Sequence, residues 1–195
     1  METKKKQIGC VIMASGFGRR FGSNKVLAEF RGKTLLEWIL EKTKGNLFEK
    51  RVVVTRYPEV VRICQDSGVE AILHDLPYRS DTVRLGLQVM PPEIEGCMFC
   101  PVDQPVLSRE SLKKMIYDLQ GKDGICRLGY GEKSGAPVLF GSRYFEELLH
   151  LPEGKGGNVL IQKYGDKVVQ TEGTCEEELM DADTPQILAW LEKRI

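Results

Sequence analysis

The sequence is poor in histidine, has no excess of charge of either sign and contains no long apolar run. Its two histidines, His74 and His150, lack the spacing of metal ligands, and neither has the setting of a catalytic base. Lys plus Arg (28) equals Asp plus Glu (28), which argues against a nucleic-acid partner and against an anionic membrane surface. No run approaches the roughly 20 apolar residues that a membrane-spanning helix needs. We therefore expect a cytoplasmic protein, in which an anionic ligand can still bind in a local pocket.

The six cysteines do not indicate a disulfide framework. Cys10, Cys97, Cys100 and Cys126 lie in or beside apolar runs, where free cysteine behaves as a small hydrophobic residue. Cys97 and Cys100 have the C-x-x-C spacing that also occurs in redox proteins and in half of a zinc site. No second pair completes such a site, so we expect these cysteines to pack in the core of a protein in a reducing compartment.

The apolar pattern predicts strands that alternate with helices. The predicted strands are 8–14, 51–55, 69–73, 96–102, 124–128, 137–140 and 167–171. The predicted helices are 34–44, 58–66, 80–90, 108–119, 143–149, 158–163 and 184–194. This alternation, with short connections, predicts a single α/β domain with a Rossmann-like, doubly wound and mostly parallel sheet.

A glycine-rich loop follows the first predicted strand, where doubly wound sheets place their ligand crevices. Its glycines allow backbone N–H groups to converge on an anion, and Arg19, Arg20 and Lys25 add positive charge. The spacing Gly16-x-Gly18-x-x-x-Gly22 is one residue too long for a dinucleotide fingerprint. The loop therefore predicts a polyphosphate site of another kind.

Two acidic segments are the candidate metal ligands. Asp103 follows the fourth predicted strand, and Asp183 lies in the segment 181–185. Taken alone, Asp103 is compatible with a turn residue, and Asp183 or Thr184 with a helix cap. Two aspartates from distant strand ends can, however, share one Mg²⁺ on a triphosphate.

Together these segments resemble the MobA-like nucleotidyltransferases, and within them the molybdenum cofactor cytidylyltransferases. The segments that carry the resemblance are 14–25, 80–86, 102–105, 135–140, 154–157 and 181–185. The resemblance implies the nucleotide-diphospho-sugar transferase type of fold. It also implies a nucleotide-binding half, 1–119, and an acceptor-binding half, 120–195, within a single domain that covers 1–195.

The resemblance also implies roles for individual residues. The implied nucleotide-binding residues are Ala14, Ser15, Gly16, Gly18, Arg19, Arg20 and Lys25. Thr82, near the start of the third predicted helix, is the candidate for a base or ribose contact. Lys25, Arg19 and Asp103 are the implied catalytic residues, and Asp103 and Asp183 the implied Mg²⁺ ligands. The implied acceptor-binding residues are Gly135, Pro137, Lys155, Gly156 and Gly157.

The reaction so implied is transfer of CMP from CTP to the terminal phosphate of molybdopterin, with release of pyrophosphate. A phosphate nucleophile is already ionised at neutral pH, which agrees with the lack of a catalytic histidine. A transient contact with a molybdoenzyme or its chaperone is a further expectation.

Three departures from the family pattern leave alternatives open. Ser15 stands where CTP-using members have alanine and GTP-using members have glycine, Val102 replaces a glycine, and Ala136 replaces a histidine. The alternatives are a GTP-using molybdopterin guanylyltransferase and a sugar- or polyol-phosphate nucleotidyltransferase. A non-catalytic molybdopterin carrier or chaperone is the alternative from another class.

Overall fold

A computed structural model describes residues 6–119 and 121–195, so residues 1–5 and 120 of the two predicted halves lie outside it. The described strands are β1 (Ile8–Ala14), β2 (Glu29–Phe30), β3 (Lys33–Thr34), β4 (Lys50–Thr55), β5 (Glu70–Leu73), β6 (Gly96–Pro101), β7 (Ile125–Tyr130), β8 (Lys133–Gly141) and β9 (Val168–Glu172). The α-helices are α1 (Leu35–Lys42), α2 (Pro58–Asp66), α3 (Arg79–Gln88), α4 (Arg109–Asp118), α5 (Phe145–Leu149), α6 (Asn158–Lys163) and α7 (Pro185–Arg194). None of these helices is long and apolar enough to cross a membrane.

Seven of the described strands form one sheet in the order β5-β4-β1-β6-β8-β7-β9. β1 pairs in parallel with both β4 and β6, so the chain reverses its winding direction at β1. Only β8 runs against its two neighbours in this described sheet. The predicted doubly wound, mostly parallel sheet is confirmed. Its carboxyl edge beside β1 is where such a sheet opens a ligand crevice.

Helices cover both faces of the sheet because each strand sends alternate side chains to opposite sides. One apolar core contains Ile12 of β1 with buried residues of α1, α2 and α4. The other core contains Val11 with buried residues of α3, α5 and α6. α7 packs against the β2–β3 hairpin in a third, smaller cluster.

Alternation also separates the two cysteines of the C-x-x-C motif. Cys97 and Cys100 lie three residues apart on β6, so they point to opposite faces and pack in different cores. Both are fully buried, and all six cysteines are free. The expectation that the pair packs in the core is confirmed, and its geometry does not fit a redox pair.

The structure differs from the predicted elements where strands are polar or very short and at the start of one helix. β7 and β8 extend through the glycine-rich segment that was predicted to separate them. The β2–β3 hairpin was missed because each strand has only two residues. The capping box formed by Thr34 and Glu37 at the start of α1 was also missed, although its sequence signature is present.

The close packing of α3 on β1 generates a stability prediction. A Cβ added at Gly86 would lie 2.5 Å from Cγ1 of Val11. Gly86→Ala should therefore lower the free energy of unfolding by about 1–3 kcal/mol, although alanine is the better helix former. Denaturant unfolding measures the effect. Gly165→Ala is the control, since a Cβ there meets nothing within 4 Å. Equal losses in the two variants would contradict the packing account.

Candidate active site

The loop after β1 makes a tight turn before it reaches Lys25. Gly18 has φ +59°, and a Cβ on it would lie 2.7 Å from the carbonyl oxygen of Ser23, so this position requires glycine. The backbone N–H groups of Phe21 and Gly22 donate to the Gly18 carbonyl at 2.9 and 3.1 Å. The turn directs the chain back toward the carboxyl edge of the sheet.

A short helical turn, Lys25–Leu27, then orients the lysine. The side chain of Asn24 accepts a hydrogen bond from the backbone N–H of Val26 at 3.2 Å and caps this turn. Val26 is buried in the core below. The position of Lys25 is thus set by a cap on one side and by an apolar anchor on the other.

The chain that follows β4 holds the start of the same loop. Arg56 Nε donates to the Ser15 carbonyl at 2.6 Å, and the guanidinium lies over the Phe17 ring at 3.7 Å from its centroid. The hydroxyl of Tyr57 donates to the Gly16 carbonyl at 2.7 Å. Sequence reasoning missed Arg56 and Tyr57. Their signal is their place after a strand that neighbours β1 in a parallel sheet.

The side chain of Ser15 is held between two strands. Its hydroxyl donates to the Val54 carbonyl at 2.9 Å and lies 2.7 Å from Nε2 of His74. Because that hydroxyl proton is already donated, Nε2 of His74 is the donor in the second contact. Burial and then the charge of Arg56 lower the pKa of His74, so the ring is neutral at neutral pH.

The two acidic segments meet at the end of β6. The backbone N–H of Ala182 donates to the Asp103 carbonyl at 2.8 Å, which places Asp181 and Asp183 beside Asp103. The side chain of Thr184 caps α7 by accepting from the Ile187 N–H at 3.2 Å. Thr184 rather than Asp183 is therefore the cap, and the Asp183 carboxylate is available for other partners.

A buried carboxylate supports this acidic segment from below. Glu178 is fully buried and accepts hydrogen bonds from the Ser108 N–H at 2.8 Å, the Ser111 hydroxyl at 2.6 Å and the Thr174 N–H at 3.0 Å. It links the chain before Asp181 to the first turn of α4. Sequence reasoning missed this role, because Glu178 stands in an acidic run that suggests a solvated surface.

Lys25 joins the two aspartates that the sequence singled out. Its Nζ donates to Asp183 Oδ1 at 3.0 Å and to Asp103 Oδ2, while Arg20 Nη2 donates to Asp183 Oδ2 at 2.6 Å. Burial by itself lowers the pKa of the Lys25 ammonium, but the charge of Asp103 and the bonds to both carboxylates outweigh it and raise that pKa. The ammonium is therefore charged at neutral pH.

Asp181 lies beside this cluster. Its Oδ1 accepts from Gln104 Nε2 at 3.0 Å. Burial raises the pKa of the Asp181 carboxyl, and the charge of Asp103 raises it further, whereas the bond from Gln104 opposes the change. The Asp181 carboxyl is thus protonated more readily than that of an ordinary aspartate.

The donor set fits a Mg²⁺ ion that shares its ligands with a bound triphosphate. Oxygens of Asp103 and Asp183 both face one cation, the Lys25 ammonium, so they converge on a common point. Within the described residues no group of three or more His, Cys, Asp or Glu side chains could hold a metal. Mg²⁺ is commonly held by one or two carboxylates together with substrate phosphates and water.

Two adjoining cavities meet beside this cluster, at Asp181. The first, of about 440 Å³, is lined by Met13, Ser15, Gly16, Phe17, Arg20, Lys25, Val26, Arg56, Pro77, Tyr78, Arg79, Thr82, Pro101, Val102, Asp103, Ala136, Asp181 and Asp183. The second, of about 550 Å³, lies over β7 and β8, and Met13, Arg79, Pro101, Ala136 and Asp181 line both. Both cavities draw residues from each predicted half of the chain.

The predicted nucleotide-binding residues divide among three places. Ser15, Gly16, Arg20, Lys25 and Thr82 line the first cavity, although Thr82 is only 2% exposed. Gly18 and Arg19 line a third cavity at the outside of the loop. The Arg19 guanidinium lies over the Phe17 ring, 5.2 Å from its centroid, and forms no ion pair within the described residues, although Asp183 lines the same third cavity. Ala14 is fully buried and belongs to the core on the other face of the sheet.

The predicted acceptor-binding residues gather at the second cavity, with one exception. Gly135, Lys155, Gly156 and Gly157 line it. Pro137 is buried and lines neither of the two adjoining cavities, whereas its neighbour Ala136 lines both. Strand alternation explains the difference, because consecutive residues of β8 face opposite sides.

The sequence of this chain is similar to those of known nucleotidyltransferases. A family model described as the MobA-like NTP transferase domain matches residues 10–168. A probable molybdenum cofactor guanylyltransferase of Bacillus licheniformis is 29% identical over 116 residues, which cover 58% of this chain and 57% of that protein. A 2-C-methyl-D-erythritol 4-phosphate cytidylyltransferase of Caldicellulosiruptor bescii is 26% identical, covering 56% and 52%. The chain thus spans little more than half the length of these curated relatives.

Solved structures share the fold at low identity. A Methanothermobacter nucleotidyl transferase superposes with a TM-score of 0.82 at 20% identity, covering 96% of each chain. A Mycobacterium tuberculosis protein in complex with manganese gives a TM-score of 0.74 at 21% identity, covering 97% of this chain and all of that one. The fold is that of the nucleotide-diphospho-sugar transferases, as the resemblance implied.

The support that Glu178 gives to the acidic segment can be tested directly. Glu178→Ala leaves the buried Ser111 hydroxyl without its acceptor, which costs about 1–3 kcal/mol, and also removes the acceptor of the less buried N–H groups of Ser108 and Thr174. We expect a loss of unfolding free energy within or above that range in a denaturant titration. Glu176→Ala, in the same turn but at an exposed ion pair with Lys133, should change it by less than about 1 kcal/mol. Similar losses in the two variants would argue against the anchoring role.

Proposed function

The chain belongs to the MobA-like NTP transferase family, and we propose that it transfers CMP from CTP to the terminal phosphate of molybdopterin. The observation that carries this proposal is that Lys25, Asp103 and Asp183 line one cavity, which adjoins a second cavity at Asp181. One cavity has the glycine-rich loop expected for a triphosphate, and the other has the residues expected for an acceptor. We further propose that residues 1–195 act as one domain, with 1–119 chiefly binding nucleotide and 120–195 chiefly binding the acceptor.

The proposed reaction is an in-line displacement at the α-phosphorus. An oxygen of the acceptor phosphate forms a bond to that phosphorus, and the bond to the oxygen that bridges to the β-phosphate breaks. The electron pair of that bond leaves with pyrophosphate. The acceptor oxygen carries no proton that must be removed at neutral pH, and neither His74 nor His150 lines the adjoining cavities.

The chain's own contribution is position and charge. Lys25 remains charged, and in the presence of a triphosphate its ammonium can transfer from the aspartates to phosphate oxygens. Arg20, which shares Asp183 with Lys25, offsets charge that develops on the leaving pyrophosphate. Arg19 approaches the same phosphates from outside the loop.

We propose that Asp103 and Asp183 hold Mg²⁺ once the nucleotide is bound. The chemistry that this ion supplies is neutralisation of the triphosphate charge and polarisation of the phosphoryl group under attack. The manganese complex among the structural neighbours supports a divalent ion in this fold. The carboxylate oxygens of the two aspartates suit magnesium.

Both the donor base and the acceptor require a direct test. Segments 135–140 and 154–157 favour molybdopterin as the acceptor, and the overall resemblance to the cytidylyltransferases favours CTP, whereas Ser15 in the loop matches neither donor pattern. The names of several curated relatives favour GTP instead, and one names CTP with a polyol phosphate. At 29% identity or less, none of these names decides the donor of this chain.

The test offers each of the four nucleoside triphosphates with Mg²⁺ to the purified protein, with either molybdopterin or a phosphorylated polyol as acceptor. Mass spectrometry identifies the adduct, and a coupled assay follows pyrophosphate. We expect a CMP adduct of molybdopterin. A GMP adduct would correct the donor, and an adduct of the polyol would correct the acceptor. Tight binding of molybdopterin without pyrophosphate release from any triphosphate would indicate a carrier.

Loss of either Lys25 or Asp103 from the first cavity should slow the reaction strongly. Removal of a preorganised electrostatic group typically costs about 10²–10³ in rate, and we expect that loss for Lys25→Ala and for Asp103→Ala. Initial rates of pyrophosphate release at saturating substrates measure it. Lys33→Ala, at an exposed ion pair with Glu41, is the control and should keep its rate. Near-normal turnover of Asp103→Ala with Mg²⁺ would contradict the assignment of Asp103 as a metal ligand.

A further inference from the structure

The second cavity contains a buried amide oxygen without a partner. Gln104 is only 3% exposed, and its Nε2 donates to Asp181. Its Oε1 has no hydrogen-bond partner among the described residues, although this side chain lines the cavity. Gln104 therefore offers a fixed hydrogen-bond acceptor, because the bond to Asp181 determines which end of the amide faces Asp181.

Arg127 on β7 offers an unpaired donor to the same cavity. Along β7, Cys126 and Leu128 belong to one core, and Ile125 belongs to the core on the opposite face. Alternation thus sends Arg127 to the face covered by α3 and α6, where it lines the cavity. Its Nε is buried and has no hydrogen-bond partner in the described chain.

Two such atoms around one cavity are unusual. Roughly 90% or more of buried polar groups in folded proteins have a partner. The described residues contain four buried side-chain atoms without one, in Asn24, His74, Gln104 and Arg127, and two of these residues line the second cavity. A ligand that forms hydrogen bonds with both Gln104 Oε1 and Arg127 Nε would give each of these buried atoms a partner.

The remaining wall indicates the kind of ligand. Nearly buried apolar side chains, among them Phe99, Phe140 and Leu148, form part of it, but polar atoms make up more of its exposed surface than apolar atoms do. A few well-placed polar groups of this kind fix the orientation of a ligand in its pocket. A volume of about 550 Å³ with this lining suits a ring system that carries several polar groups.

We propose that Gln104 and Arg127 select the acceptor by binding its body, at a distance from the phosphate that reacts. The ligand class is a phosphorylated heterocycle with an N–H donor for Gln104 Oε1 and an oxygen or nitrogen acceptor for Arg127 Nε. This inference rests on the proposed function, since it assigns the second cavity to the acceptor. The phosphate of the ligand then points toward Asp181 and Ala136, where the cavities adjoin.

The experiment compares Arg127→Met with the wild-type chain. We expect the KM and the calorimetric Kd for molybdopterin to rise about 10–100-fold, the usual weight of a hydrogen bond to a charged group. The Kd for the Mg²⁺-nucleotide should stay unchanged. The midpoint of thermal unfolding should not fall, because Arg127 Nε has no partner to lose. Lys133→Met, on the same hairpin but outside both cavities, is the control for lost charge.

A phosphorylated polyol serves as a second probe. Wild-type protein should prefer molybdopterin to the polyol phosphate, and Arg127→Met should reduce that preference. Gln104→Met should change the preference in the same direction, in addition to the effect of losing its bond to Asp181. A structural role for Arg127 would weaken both acceptors and the nucleotide alike.

The possible failures can be distinguished. An unchanged Kd for molybdopterin in Arg127→Met, or a fall in its unfolding midpoint with loss of nucleotide binding, would overturn the inference. Wild-type protein that transfers only to the polyol phosphate would overturn it as well, while nucleotidyl transfer would stand. Wild-type protein that binds molybdopterin but transfers nothing would defeat the proposed function, and the binding measurement would still decide the role of Arg127.

Discussion

The candidate site depends on one ammonium group that holds two carboxylates from distant parts of the chain. Asp103 and Asp183 would repel each other if they stood alone, and Lys25 offsets both charges. The three side chains are only 12%, 14% and 23% exposed, so water screens them weakly. This interaction ties the loop after β1, the end of β6 and the segment before α7 into one site.

The sheet brings these segments together, and its antiparallel strand β8 extends the site toward the second cavity. The pairing of β7 with β8 shifts between Arg127 and Leu128, so that Ala136 and Pro137 of β8 have no partners on β7. Bulges of this kind commonly redirect side chains next to active sites. Here the shift occurs where Ala136 lines both adjoining cavities. The parallel half of the sheet thus carries the glycine-rich loop, and the antiparallel strand β8 lines both adjoining cavities through Ala136.

The elements and the central charges could be predicted from the sequence because their signals are local. Buried strands appear as apolar runs, and the loop containing Lys25 is marked by its glycines. Asp103 and Asp183 are marked by their places at the ends of segments. The supporting residues carry no such signal. Arg56 and Glu178 are charged residues in polar segments of the sequence, and only the contacts of the folded chain distinguish them from solvated residues.

The sequence by itself determined the order and type of the longer elements, the glycine-rich loop and the acidic segments. Hydrophobic periodicity, glycine spacing and helix caps act over a few residues, so they can be identified without the fold. Only the tertiary structure decided that Thr184 rather than Asp183 caps α7 and that Arg20 rather than Arg19 pairs with Asp183. It alone placed Arg127 in a cavity, because strand register and the direction of each side chain depend on partners far away in the chain.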